Sequence, residues 1–69
     1  MSLQIGDKFI FNMIYYTNYS KELQNILIKQ DVYNCSEIIR LEDNSVYLIF
    51  ENFPLPQKIF LYNHFIKFE

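Results

Sequence analysis

Cys35 is the only cysteine in a chain of 69 residues, so the fold has to hold together without an internal disulfide. For a domain of this size that is a severe constraint. A short chain hides a smaller fraction of its surface than a long one, and small domains are commonly stapled by disulfides, a metal or a partner subunit. A metal staple has little to work with. His64 is the only histidine, it stands far from Cys35 in the chain, and neither a CxxC nor an HxxxH spacing exists. What remains is bulk: seven Phe, six Tyr and ten Ile stand against no Ala and no Trp. Each buried aromatic removes a large area from water, so a few such residues can build a core. The expectation is one small domain over residues 1–69, with residues 1–4 flexible or vector-derived.

The pattern along the chain is mostly β. Gly6-Asp7 is a turn signal, and Lys8–Ile14 follows as a first strand. Phe9, Phe11 and Met13 are expected on one face and Lys8, Ile10 and Asn12 on the other. Tyr15–Ser20 mixes tyrosines with turn-forming residues and reads as a loop. Residues 20–29 carry Leu23, Ile26 and Leu27 at helical spacing, with Ser20 as a cap and Glu22 in the first turn. A short helix is the first reading there, and an extended strand through Ile26–Ile28 is the other. Val32–Leu41 and Val46–Phe53 form a hairpin about Glu42-Asp43-Asn44-Ser45, since Asp and Asn accept the left-handed backbone of tight turns. Pro54 and Pro56 break the sheet, Lys58–Tyr62 is a fourth strand, Asn63-His64 a turn, and Phe65–Phe68 a last strand.

Ile5-Gly6-Asp7-Lys8-Phe9 opening the first strand, a long irregular connection, the hairpin at Asp43-Asn44 and the one-turn break at Tyr62-Asn63-His64 together resemble the SH3-like small barrels in layout. The resemblance implies a mainly β fold, a small five-stranded SH3-like barrel or rolled antiparallel sheet, with the possible helix near 20–29 in its long connection. It transfers no binding residue.

Chemistry is poorly supplied. Gly6 is the only glycine, so neither GxxxxGK[ST] nor GxGxxG can be present. Cys35 falls inside a strand and His64 in a turn, which suits a small buried thiol and a rim imidazole better than a nucleophile–base pair. Glu37, Glu42, Asp43 and Glu51 are expected along one exposed hairpin. No enzyme activity, cofactor or metal site is expected.

The net charge is −2, with both signs spread along the chain. The expected role is a non-enzymatic protein-interaction or regulatory module, with another protein or a second copy as partner and no membrane. Tyr15, Tyr16 and Tyr19 are the candidate contacts, because tyrosine offers a rigid apolar ring with a polar tip; the competing reading is a lid over one end of the core. An exposed strand edge is the second candidate. Nucleic acid is the alternative partner, with Lys8, Arg40, Lys58 and Lys67 interleaved with Phe9, Phe60 and Phe68, although six basic residues give little pull on phosphates. A bias to Ile, Asn, Lys, Tyr and Phe suggests a low-GC bacterium, its phages or its mobile elements. A start without a basic, apolar leader suggests the cytoplasm.

Overall fold

The computed structural model describes residues 3–56 and 58–68. Of the start expected to be flexible or vector-derived, residues 1–4, Met1 and Ser2 lie outside them, whereas Leu3 packs against the core and the Gln4 amide donates to the Asp7 carboxylate at 2.8 Å. The fold is mainly β: one antiparallel sheet of five strands with short helical turns. The strands are β1 (Lys8–Phe11), β2 (Tyr33–Arg40), β3 (Val46–Phe50), β4 (Ile59–Leu61) and β5 (Phe65–Phe68), in the spatial order β4-β3-β2-β1-β5. The sheet does not close into a barrel, because β4 and β5 stand at its two edges. Of the two expected forms, the rolled sheet is the one found, and its strand order is compatible with the SH3-like layout.

A bulge in β2 makes the sheet roll. Tyr33 and Asn34 pair with β1, whereas Cys35 to Arg40 pair with β3, and the register slips between Cys35 and Glu37. An extra residue in one strand bends it and increases the local twist. The extra residue is Ser36, whose hydroxyl donates to the Ile49 carbonyl at 3.1 Å. The two halves of the sheet therefore close on a shared core of Phe9, Phe11, Leu27, Tyr33, Cys35, Leu48, Phe50, Phe60 and Phe65. Phe50 lies at its centre, with ring centroids 6.0 Å from Phe9, 5.5 Å from Tyr33, 5.8 Å from Phe60 and 5.0 Å from Phe65. The hydroxyl of Tyr33 is buried in this packing and finds no hydrogen-bond partner among the described residues.

The first strand is shorter than its composition suggests. Asn12 ends it, because its side-chain oxygen accepts from the Ile14 amide at 3.2 Å and starts a 3-10 turn over Met13–Asn18. Met13, expected beside Phe9 and Phe11, is consequently exposed. The segment 20–29 takes its helical reading, as α1 (Lys21–Leu27), with Ser20 capping the Leu23 amide and only Leu27 fully buried. Gln30 then takes the left-handed conformation (φ 58°) that ends many helices, and its amide group donates to the Phe11 carbonyl at 3.0 Å. That bond ties the helix exit to the end of β1.

The hairpin is closed as expected. Leu41 and Ser45 are bridged at 2.9 Å, Asn44 donates to the Leu41 carbonyl at 3.0 Å, and Asn44 has φ 71°. Asp43 accepts from the Ser45 amide, and hydrogen bonding to Ser45 lowers its carboxyl pKa. β3 stops at Phe50 rather than Phe53, because the Asn52 side chain substitutes for further ladder. It accepts from the Asn34 amide at 2.9 Å and donates to the Val32 carbonyl at 3.1 Å. A second 3-10 turn, Tyr62–His64, leads into β5.

Candidate functional site

The three tyrosines singled out in the sequence meet a residue from the other end of the chain. Tyr15 stacks on His64 with centroids 4.2 Å apart and planes at 22°. The Tyr19 hydroxyl lies 2.7 Å from His64 Nδ1. The ring of Tyr19 also stands edge-on to Phe11 at 5.4 Å and beside Phe60 at 6.0 Å. Tyr16 uses its backbone instead, accepting from the Gln24 side chain at 3.0 Å. All three are half-buried and pack against the core. Sequence reasoning set His64 apart as a rim residue. Its contacts come from the two 3-10 turns, Met13–Asn18 and Tyr62–His64, which are brought together when the Asn12 amide donates to the His64 carbonyl at 3.0 Å.

Burial shapes the electrostatics of this cluster. Desolvation pushes the Tyr19 phenol up to about 12, so its hydroxyl stays protonated in the hydrogen bond it shares with Nδ1 of His64. Desolvation also lowers the His64 pKa. Two consequences follow for stability. An unfolded chain takes up the imidazole proton first, so the His64 contribution is fully present above about pH 6.5 and falls as the pH drops through the lower folded-state value. An unfolded chain also loses the phenolic proton first, so the Tyr19 contribution falls as the pH rises through 10 towards about 12. Urea unfolding of the wild type against His64→Gln across pH 5–8 checks the first. With a single histidine in the chain, the slope near neutrality should vanish in the variant.

The four cations proposed for nucleic acid are not gathered on one face. Lys8 lies across from Phe68 and Lys67 across from the buried Phe9, so alternation sends them to opposite faces of the β1–β5 pair. Lys67 pairs with Asp7 at 3.4 Å, and Lys8 donates to the Asn34 side chain at 3.1 Å. Arg40 is at the far end of β2, opposite Val46, and Lys58 precedes β4. Phe9 and Phe60 are core, whereas Phe68, beside Lys8, keeps 48% of its surface exposed. Cys35 and His64 have separate partners. The thiol donates to the Glu37 carbonyl at 3.3 Å, and its burial pushes its pKa up, away from the thiolate a nucleophile needs. Among the described residues no group of three or more His, Cys, Asp or Glu is placed to hold a metal, and no helix is long and apolar enough to cross a membrane.

A larger feature lies on the outer side of the sheet. Cross-strand register puts Ile39, Tyr47 and Leu61 in one outward row and Glu37, Ile49 and Ile59 in the next. The alternate row, Ile38, Leu48 and Phe60, faces the core. This half of the sheet is thus apolar on both sides. An antiparallel sheet with one solvated face normally alternates apolar with polar residues. Ile59 is 55% exposed and Leu41 48%. With Ile39 and Tyr47 they line a shallow apolar depression of about 250 Å³. A recess of about 500 Å³ lies on the other side of Tyr47, against the hairpin turn and Tyr62-Asn63. The signal was present in the sequence as near-continuous apolar runs, Val46–Phe50 and Ile59–Leu61, which are typical of strands covered on both faces. Comparison with protein-family models, with curated proteins and with solved structures gave no match.

Proposed function

We propose that this domain is a non-enzymatic protein-interaction module, built on an SH3-like layout, that docks through the outer face of β2, β3 and β4. The observation that carries this reading is the pair of outward rows, in which Glu37 is the single charged residue among six. A face of that kind fits a partner surface that is itself apolar and sparsely charged. Charge depletion and aromatic enrichment mark the centres of protein interfaces. Ile59 and Leu41 supply exposed apolar bulk, and Tyr47 supplies a rigid ring between two recesses.

A second reading keeps the contact at Tyr15, Tyr16 and Tyr19. It is favoured by Ile14, 76% exposed in the same 3-10 turn. Retention of a partner from an extract of the source cells on immobilised protein separates the two. Loss with Ile49→Glu but not with Tyr15→Ala is the expected result, with far-UV circular dichroism establishing that each variant is folded. Equal retention by wild type and Ile49→Glu would overturn the sheet-face reading.

A further inference from the structure

We infer that Phe53 covers a buried binding site, and that this site takes a small neutral aromatic molecule carrying a hydrogen-bond acceptor. The guest ring takes the place of the Phe53 ring, and its acceptor meets the hydroxyl of Tyr33. The site is separate from the outer sheet face, since Tyr33 belongs to the core and Phe53 packs against it.

The hydroxyl is the observation that points to a guest. Tyr33 is 1% exposed, and its hydroxyl has no hydrogen-bond partner among the described residues. A tyrosine buried this deeply ordinarily finds one. Packing alone would be served as well by phenylalanine, the residue at five of the nine core positions.

The neighbours of Tyr33 supply the walls. The Phe53 ring packs against Tyr33 at 5.1 Å and against Phe60 at 4.8 Å between centroids. Phe50 touches the same two rings, 5.5 Å from Tyr33 and 5.8 Å from Phe60. Withdrawing the Phe53 ring therefore leaves a slot for one ring, walled by aromatic side chains and supplied with one unpaired hydroxyl.

The cover is lightly held. The exit from β3 is anchored by the Glu51 amide, which donates to the Asn34 carbonyl at 3.0 Å, and by the Asn52 side chain, bonded to Asn34 and Val32. Beyond that anchor Pro54 and Pro56 have no amide hydrogen to donate, and Phe53 itself is only partly buried. Swinging the Phe53 ring outward costs ring contacts and leaves the strand ladders intact.

Charge selects the guest. Burial first, and then the Asp31 carboxylate, raise the Tyr33 pKa, so the hydroxyl keeps its proton and is free to donate. The same carboxylate repels an anion. An aryl ketone fits this site, and a benzoate does not.

NMR titration of the full chain with acetophenone, and with ethylbenzene as a probe of similar size that lacks the acceptor, tests the site. Acetophenone should shift the resonances of Tyr33, Phe53 and Phe60. Tyr33→Phe keeps the packing and should fold; it should weaken acetophenone by about tenfold and leave ethylbenzene unchanged. Phe53→Ala, with its fold checked by far-UV circular dichroism, should bind acetophenone more tightly than the wild type, because no cover has to be displaced. If that variant does not fold, the wild type and Tyr33→Phe decide the matter. Equal binding of acetophenone by the wild type and Tyr33→Phe would overturn the inference. So would the absence of any shift at these residues in the wild type up to the solubility limit of acetophenone.

Discussion

Replacing Phe50 with alanine is expected to unfold this domain at room temperature or leave it on the edge of doing so. Phe50 is the ring that joins the two halves of the rolled sheet. Through Phe9 and Tyr33 it meets the β1 side, through Phe60 it meets β4, and through Phe65 it meets β5. Truncating a buried Phe to Ala costs about 3–5 kcal/mol in transfer and cavity terms. Natural domains have about 0.05–0.15 kcal/mol of stability per residue, so a 69-residue chain has about 3–10 kcal/mol in all. The loss is therefore comparable with the total. Urea unfolding followed by near- and far-UV circular dichroism measures it. Phe50→Leu keeps most of the apolar volume and should fold with a lowered midpoint. If Phe50→Ala unfolds at the wild-type midpoint, the aromatic centre does not hold the halves together.

Leu27→Ala is expected to act more locally. Leu27 is the one fully buried residue of α1, a helix of seven residues that is too short to persist without packing. Its removal is worth about 2–5 kcal/mol if the helix stays docked over the cavity. The helix has a cheaper response, because few other contacts fix it: the Ser20 cap, the Gln24 bond to Tyr16 and the Gln30 bond to Phe11. Local undocking should therefore cap the global loss below that of Phe50→Ala. Amide hydrogen exchange reads the difference. Gln24, Leu27 and Ile28 amides should lose protection while those of Leu48 and Phe50 in β3 keep it. Uniform loss across helix and sheet would mean that α1 is part of the cooperative core.

The Tyr–His cluster and the sheet face were legible in the sequence to different degrees. The residues Tyr15, Tyr16 and Tyr19 were marked by type, but His64 lies 45 positions from Tyr19, and nothing local signals their contact. It depends on β1 pairing with β5, a non-local event. The outer face was written in Val46–Phe50 and Ile59–Leu61 as unbroken apolar runs. Which side of each run faces out, however, depends on the bulge at Ser36, which resets the alternation of β2.

The sequence alone determined the elements whose causes are local. The hairpin at Asp43-Asn44 follows from residues that tolerate a left-handed backbone, the Ser20 cap starts the helix, and the prolines keep 54–56 out of the sheet. A core rich in Phe follows from composition, but none of the ten Ile is fully buried, and Leu27 and Leu48 take the aliphatic places in it. Tertiary structure decided where β3 stops and which side of each strand faces out. Asn52 ends β3 through side-chain hydrogen bonds to the backbone of Asn34 and Val32, which only the folded chain brings near, whereas Asn12 ends β1 through a local bond from the amide two residues on. The lone cysteine that ruled out a disulfide staple also sits at the bulge that rolls the sheet. That roll leaves one core between the two halves and one apolar face turned outward, because a single rolled sheet can bury only its concave side.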